Sequence, residues 1–365
     1  MVGAAKTREW GPWSVWKTEI VLGAYLPLFL RAAKTSRHRV YIDCFSGSTL
    51  NIDRTGHEVR SSPRVALQAA DGAVTRFTHL LFFELESEAL DLERSLRNAY
   101  PNRRFRVVPG DCNLTVPAGL AWLKSDGTPW SGPHLGATLA YLDPDALELR
   151  WSTVETLARW CMTAPAGEFT RRNRIELLIL FPTGPLRRTL PQLGKTPASE
   201  DQRLQVDVLF GNAEWRQIYQ AQREGRVVGE DSWLHYVDLY RLGLKRLGYR
   251  YTSAIEVRNT KRVVLYHLVF ATSNRAGQDI MSAVQQRARQ ILPRMIAAEQ
   301  RRRAKGEPAM FDEEDDELIE IALDPASWAN YFNYEPVPFS RERYAPPPEQ
   351  TTLFDMTELE DPRTS

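Results

Sequence analysis

Cysteine is scarce in this chain. The three that occur in 365 residues, Cys44, Cys112 and Cys161, lie far apart and form no CxxC pair. That spacing excludes a zinc ribbon or a disulfide scaffold and points to a reducing cytoplasm. Long apolar runs are lacking too. The richest early stretch, 20 to 30, is too short for a membrane span, contains Pro27 and has none of the flanks of a signal peptide, so a soluble cytoplasmic protein with no membrane association is expected. There is no GxGxxG loop, and none of the six histidines accompanies the acids discussed below at metal-ligand spacing.

What is present is a soluble globular composition, with 43% hydrophobic and 25% charged residues, and an uneven distribution of charge. The formal net charge is only +1, from 47 basic and 46 acidic residues. Residues 311–365 hold 15 acidic and 3 basic residues, which leaves 44 basic and 31 acidic in 1–310, a body of +13 and a tail of −12. A basic body suggests an anionic partner, nucleic acid above all, although a solvated surface neutralised by its own tail would carry the same charges.

The chain is organised around Arg39 to Thr49, RVYIDCFSGST: a short buried strand, an acid at Asp43, and a loop of small residues with Gly47. Such a strand and loop form the first turn of a nucleotide-binding α/β sheet, where glycine lets a ligand approach the backbone. A buried strand and tight turn with no ligand would read alike. Ser61-Ser62-Pro63 then opens a helix, with Ser62 as cap. Three further strands end in acids: 79–83 in Glu84, 105–108 in Pro109-Gly110-Asp111, and 137–142 in Asp143-Pro144-Asp145. Each acid taken alone is also what a helix cap would place there. A fifth strand runs to Phe181, and the helix-length spacers predict a doubly wound, mostly parallel α/β sheet of Rossmann-like methyltransferase type, with ligands outside the carboxyl ends of the strands.

The remainder reads as a helical insertion or lid at 186–249, an antiparallel hairpin (251–257 and 263–272), a long basic helix to about 305, and an acidic, proline-rich tail at 306–365, after an N-terminal helical region at 1–38 and a core at 39–185. A parallel sheet closed by an antiparallel hairpin is the topology of S-adenosylmethionine-dependent methyltransferases. Glu84 follows Gly47 by 37 residues, where a dinucleotide fingerprint wants about 20. A ribose-binding role at Glu84 and an adenine-amine role at Asp111 follow from that sheet.

Trp13 with Lys17, YIDCFSG (41–47), SSPRVAL (61–67), FFELE (82–86), PGDCN (109–113), YLDP (141–144) with Trp151, ELLILF (176–181), LFGNAEW (209–215) and YHLVFATSNRAGQDIM (266–281) together resemble the three-Cys-motif partner protein (TcmP) family over roughly residues 10–290. The resemblance implies a methyltransferase-like fold in a bacterial protein that works with a three-Cys-motif partner. It implies S-adenosylmethionine held by Asp43, Phe45, Gly47, Glu84 and Asp111, and a substrate amine oriented by Asp143 and Pro144. Two positions depart from it: Thr49 replaces a second loop glycine, and Asp145-Ala146 replaces an aromatic turn, so a stacking ring would have to come from Tyr141 or Trp151.

Three functions are therefore set side by side. One is methyl transfer to nucleic acid; another is an inactive binding partner on the same fold; the third is a metal-assisted hydrolase using the ring of carboxylates. In the tail, Gln350-Thr351-Thr352-Leu353-Phe354 resembles the QxxLF peptide that docks on a sliding clamp.

Overall fold

Two sequence runs, HLLFFE and ELLILF, are apolar without alternation, as strands covered on both faces must be. In the computed structural model, which describes residues 8–48, 50–53, 58–71, 75–125, 136–160, 174–194, 199–259, 263–305, 329–332, 335–336 and 339–345, both are interior strands of one sheet. Its strands are β1 (His38–Asp43), β2 (His79–Glu84), β3 (Phe105–Pro109), β4 (Gly136–Leu142), β5 (Glu176–Phe181), β6 (Tyr251–Arg258), β7 (Val264–Thr272) and β8 (Ala329–Phe332). The spatial order is β3-β2-β1-β4-β5-β7-β6-β8. β1 to β5 run parallel. β7 joins β5 antiparallel, β6 pairs with β7, and β8 adds an antiparallel edge.

Successive side chains point to opposite faces of a strand, so the sheet feeds two cores. Ile42, Leu81, Phe83, Leu177 and Ile179 serve one; Tyr41, Leu80, Phe82, Leu178 and Leu180 serve the other. The second core is covered by α1 (Gly23–Ala32), α2 (Ser62–Gln68), α3 (Glu86–Ala99) and α10 (Arg275–Lys305). α3 buries Ala89, Leu92 and Leu96, and α10 buries Met281, Val284, Ala288, Leu292 and Ile296, steps of three and four that keep one face inward. Over the first core lie α4 (Cys112–Ser125), α5 (Trp151–Arg159), α6 (Thr183–Thr189), α7 (Ser199–Phe210), α8 (Trp215–Arg223) and α9 (Leu234–Arg246). Among the described residues, no helix is long and apolar enough to cross a membrane.

Several local expectations are corrected. The chain does not pass from the Gly47 loop into a helix: Leu50–Asp53 and Glu58–Arg60 first pair with each other, and Arg8–Trp10 joins them in a small three-stranded sheet. α2 starts at Ser62, the expected cap, so the N-cap is Ser61, one residue earlier, with Pro63 in the first turn, which frees Ser62 for another role. The helical N-terminal region is Pro12–Val15, a π-helical Trp16–Leu22, then α1. The sheet does not end at the hairpin, because Ala329–Phe332 returns from the tail to pair with β6. Cys161, Thr49, the acidic run from 311 and the Gln350 to Phe354 peptide lie outside the described residues.

Candidate functional site

The carboxyl ends of β1, β2, β3 and β4 come together around a cleft of about 790 Å³, lined in part by Phe45, Gly47, Glu84, Asp111 and Asp143. The cleft lies where the strand order turns from β1 toward β2 on one side and toward β4 on the other, the place where open α/β sheets take their ligands. Gly47 is in the left-handed region, φ +66°, and a Cβ there would have no atom within 4 Å. Glycine is therefore demanded by the backbone conformation, while the space above it is open. Its N–H donates to Glu84 Oε2, and Leu85 N–H donates to Glu84 Oε1 at 3.0 Å. One carboxylate at the tip of β2 thus holds the β1 loop in place.

Asp111 follows Gly110, whose φ of +108° turns the chain away from β3. Asp111 Oδ1 accepts the Asn113 backbone and side-chain N–H groups, both at 2.9 Å, so it caps α4 as well as facing the cleft. Asn113, which sequence reasoning quoted but did not single out, is the tie between strand ends. Its Nδ2 donates to Glu148 O (2.9 Å), and its Oδ1 accepts from Arg150 N–H (3.0 Å) and the Thr153 hydroxyl (2.8 Å).

Asp43 is placed differently from the expectation. It is fully buried and lies beneath the cleft rather than lining it. Phe45 N–H donates to Asp43 Oδ1 at 3.3 Å and the Tyr41 hydroxyl to Oδ2 at 3.2 Å, while the freed Ser62 hydroxyl supplies a further hydrogen bond. Burial pushes its carboxyl up to about 7; the hydrogen bonds oppose this and the nearby Asp143 charge adds to it. The raised value has a consequence for stability. From pH 4 upward the unfolded chain gives up a proton that native Asp43 keeps until about 7, so the native state loses on the order of 4 kcal/mol across that window. Asp43→Asn is expected to remove this loss, so that its stability relative to wild type rises from pH 5 to pH 8 in urea unfolding. Parallel curves for the two proteins would refute the assignment.

Asp143 ends β4 with both oxygens engaged. Lys17 Nζ donates to Oδ1 at 2.6 Å and the Tyr141 hydroxyl to Oδ2 at 3.1 Å, the carboxylate being 14% and the ammonium 12% exposed. Lys17 arrives on the N-terminal helical segment, which is pinned across the strand ends by Trp13 Nε1 to Arg258 O (3.0 Å) and by the Tyr266 hydroxyl to Trp13 O (2.9 Å). Burial and the neighbouring carboxylates hold the phenols of Tyr41 and Tyr141 well above their ordinary range, so both remain donors. Pro144 is buried behind Asp143, and Asp145 and Ala146 are exposed.

Neither ring considered for base stacking is free. Tyr141 is fully buried, and Trp151 sits edge-on to Tyr240 in a notch between Gly211 and Gly243, where a Cβ at either glycine would collide with the indole. Phe45 is the aromatic side chain at the cleft wall that is left partly exposed. Two cysteines distant in sequence meet at its floor: Cys44 and Cys112 are both free and buried, and the hydrogen bond to Cys112, with burial, pushes the Cys44 thiol up. Among the described residues no group of three or more His, Cys, Asp or Glu is arranged to hold a metal ion.

Among the described residues, seven acids, Glu84, Glu88, Asp111, Asp143, Asp145, Glu148 and Asp201, line the cleft against a single arginine, Arg150. Its field favours a cation over a phosphate. No family model matches this chain, and no curated protein does. Among solved structures, the chain is similar to a Legionella pneumophila protein of the DUF519 family model, at 11% identity over 74% of this chain and 91% of that one, with a TM-score of 0.39.

Proposed function

We propose that the cleft binds S-adenosylmethionine and that the protein is a methyltransferase-like member of a two-component system, acting on or binding nucleic acid with a three-Cys-motif partner. The observation that carries this reading is the convergence of the Gly47 loop with Glu84 and Asp111 on one open cleft at the turn in strand order. Helices on both faces support the doubly wound arrangement, and the order β3-β2-β1-β4-β5-β7-β6 with an antiparallel β7 supports the methyltransferase type. The residues fit the group. A volume of about 790 Å³ suits a nucleoside ligand, Glu84 and Asp111 offer acceptors for hydroxyls and an amine, and the excess of carboxylates suits a sulfonium.

When bound, S-adenosylmethionine supplies a methyl group on a good sulfonium leaving group. The chain's own part is then positioning. Glu84 fixes the Gly47 loop, buried Asp43 supports the Phe45 turn from below, and Asp143 with the Pro144 carbonyl offers acceptors for the N–H bonds of a substrate amine. The basic body, +13 over residues 1–310, supports a polyanionic substrate.

A second reading, a partner protein that binds but does not transfer, is favoured by one specific contact: the Lys17 ammonium occupies the acceptor that a substrate amine would need. Both are tested by transfer of tritium from labelled S-adenosylmethionine to mixed DNA and RNA by wild type and Lys17→Met, beside calorimetric titration of wild type and Asp43→Ala. The first reading expects binding that Asp43→Ala weakens and transfer that Lys17→Met raises severalfold. Binding with no transfer from either protein selects the second, and no binding by wild type overturns both.

A further inference from the structure

A wide cleft of about 1180 Å³ lies away from the acidic rim. It opens at the other end of the sheet, where β5 begins, β6 begins and β7 ends, so it is separated from the acidic cleft by the length of β5. Its lining reverses the sign of the first: Arg174, Lys245, Arg250 and Arg275 with Tyr251, and no acid among the described residues. We infer that this basic cleft is a second binding site, for the phosphate backbone of a nucleic acid, and that it does not depend on whether the acidic cleft holds a cofactor.

The side chains are built for such a ligand. Arg174 is partly buried, held by its Nη1 on Ala158 O at 3.1 Å and packed against Gly248, whose φ of +97° brings bare backbone onto the guanidinium. Its Nε is buried and has no hydrogen-bond partner among the described residues, a costly state for a charged donor that an anion in the cleft would relieve. Arg250 and Arg275 lie over the Tyr251 ring at 5.4 and 5.9 Å, and Arg250 has no acidic partner among the described residues. An aromatic ring flanked by guanidinium groups serves bases and phosphates together. α10 opens into the same cleft, with Asn274 at its start accepting Ala276 N–H at 3.0 Å, so the positive end of a 31-residue helix adds to the field.

Two acids lie close by, and neither neutralises the cleft. Asp279 pairs with Arg275 at 2.9 Å with both side chains more than half exposed, and Glu335 meets Lys245 at 2.5 Å with Glu335 76% exposed. Water screens such pairs, and they yield readily to a polyanion. Four cations spread over so wide and open a cleft suit a chain of phosphates better than one small anion, and planar arginine forks match phosphate oxygens.

The test is fluorescence anisotropy of the full chain with a labelled single strand of about 15 nucleotides over a series of salt concentrations. Wild type is expected to bind with a slope of log affinity against log salt of about −3, four phosphates at 0.7 each. The exposed double reversal Arg250→Glu with Arg275→Glu is expected to weaken binding at least tenfold and flatten the slope by about 1.4. A matched reversal elsewhere, Arg94→Glu with Arg203→Glu, changes net charge equally and is expected to alter affinity less than threefold. The inference is overturned if the two double variants behave alike, if wild type shows no salt-dependent binding, or if polyglutamate displaces the strand as well as unlabelled oligonucleotide does, which would identify an acidic protein segment as the occupant.

Discussion

Glu84→Ala is expected to weaken S-adenosylmethionine binding at least about a hundredfold, the largest effect of any single change at the cleft. The carboxylate accepts Gly47 N–H and Leu85 N–H, and on the proposed reading it also accepts from the ligand's hydroxyls. Hydrogen bonds to a charged group are worth about 1.5–3 kcal/mol each, and about 2.7 kcal/mol is a hundredfold in affinity. Losing the tether would also release a glycine that holds an uncommon backbone conformation, so the loop would have to be ordered again on binding. Glu84→Gln keeps the size and one acceptor and should fall between, at about tenfold. Calorimetric titration of the three proteins checks this, and equal affinities would refute the placement of the ligand beside β2.

The second large effect concerns stability. Glu256 on β6 faces its register partner His267 on β7, with Arg258 Nε on Glu256 Oε1 at 2.6 Å and His267 Nε2 3.4 Å from Oε2. On its other side His267 Nδ1 meets the Thr183 hydroxyl at 2.7 Å, and all four residues are buried. Glu256→Ala would leave the guanidinium and the imidazole without their shared acceptor. Removing one partner from a buried ion pair costs about 3–5 kcal/mol, so the midpoint of thermal unfolding is expected to fall by roughly 5 °C. Burial pushes the Glu256 carboxyl up, yet the hydrogen bond and charge of His267 and those of Arg258 outweigh it and hold the group down to about 2. Its stabilisation is therefore complete above the ordinary carboxylate value of 4.5 and is lost as pH falls from there to about 2, a change of about 3 kcal/mol. This runs opposite in direction to Asp43. Glu256→Gln should lose less stability at neutral pH and flatten the acid limb; an unchanged acid limb would refute the assignment.

The two groups mark what can be read from letters and what cannot. Strand identity was legible: a stretch such as ELLILF, buried on both faces, has to be apolar at every position. So was the ring of strand-end acids, because a parallel sheet brings all its carboxyl ends to one rim whatever its loops do. The long basic helix expected to run to about 305 was legible too, and α10 spans Arg275–Lys305. The edge strand Ala329–Phe332 was not, since an edge is chosen by whatever open ladder the folded body offers, here β6. Lys17 and Asp143 stand 126 positions apart, and nothing in the letters between them signals that they meet. The same is true of Cys44 and Cys112, and of the glycine notch that removes Trp151 from any role at the cleft.

Local sequence by itself determined the α/β class, the five parallel strands, the hairpin and the acids at the tips of the first four strands, because periodicity and turn chemistry act over a few residues. Only the tertiary structure decided which acid is buried and near neutral titration, which is tied to Lys17, and which are open to a ligand. It also decided that the basic residues from four separate segments converge at the opposite end of the sheet. Burial and charge pairing depend on neighbours brought from 100 or more residues away, and the free energy of a charge is set by those neighbours rather than by its own letter.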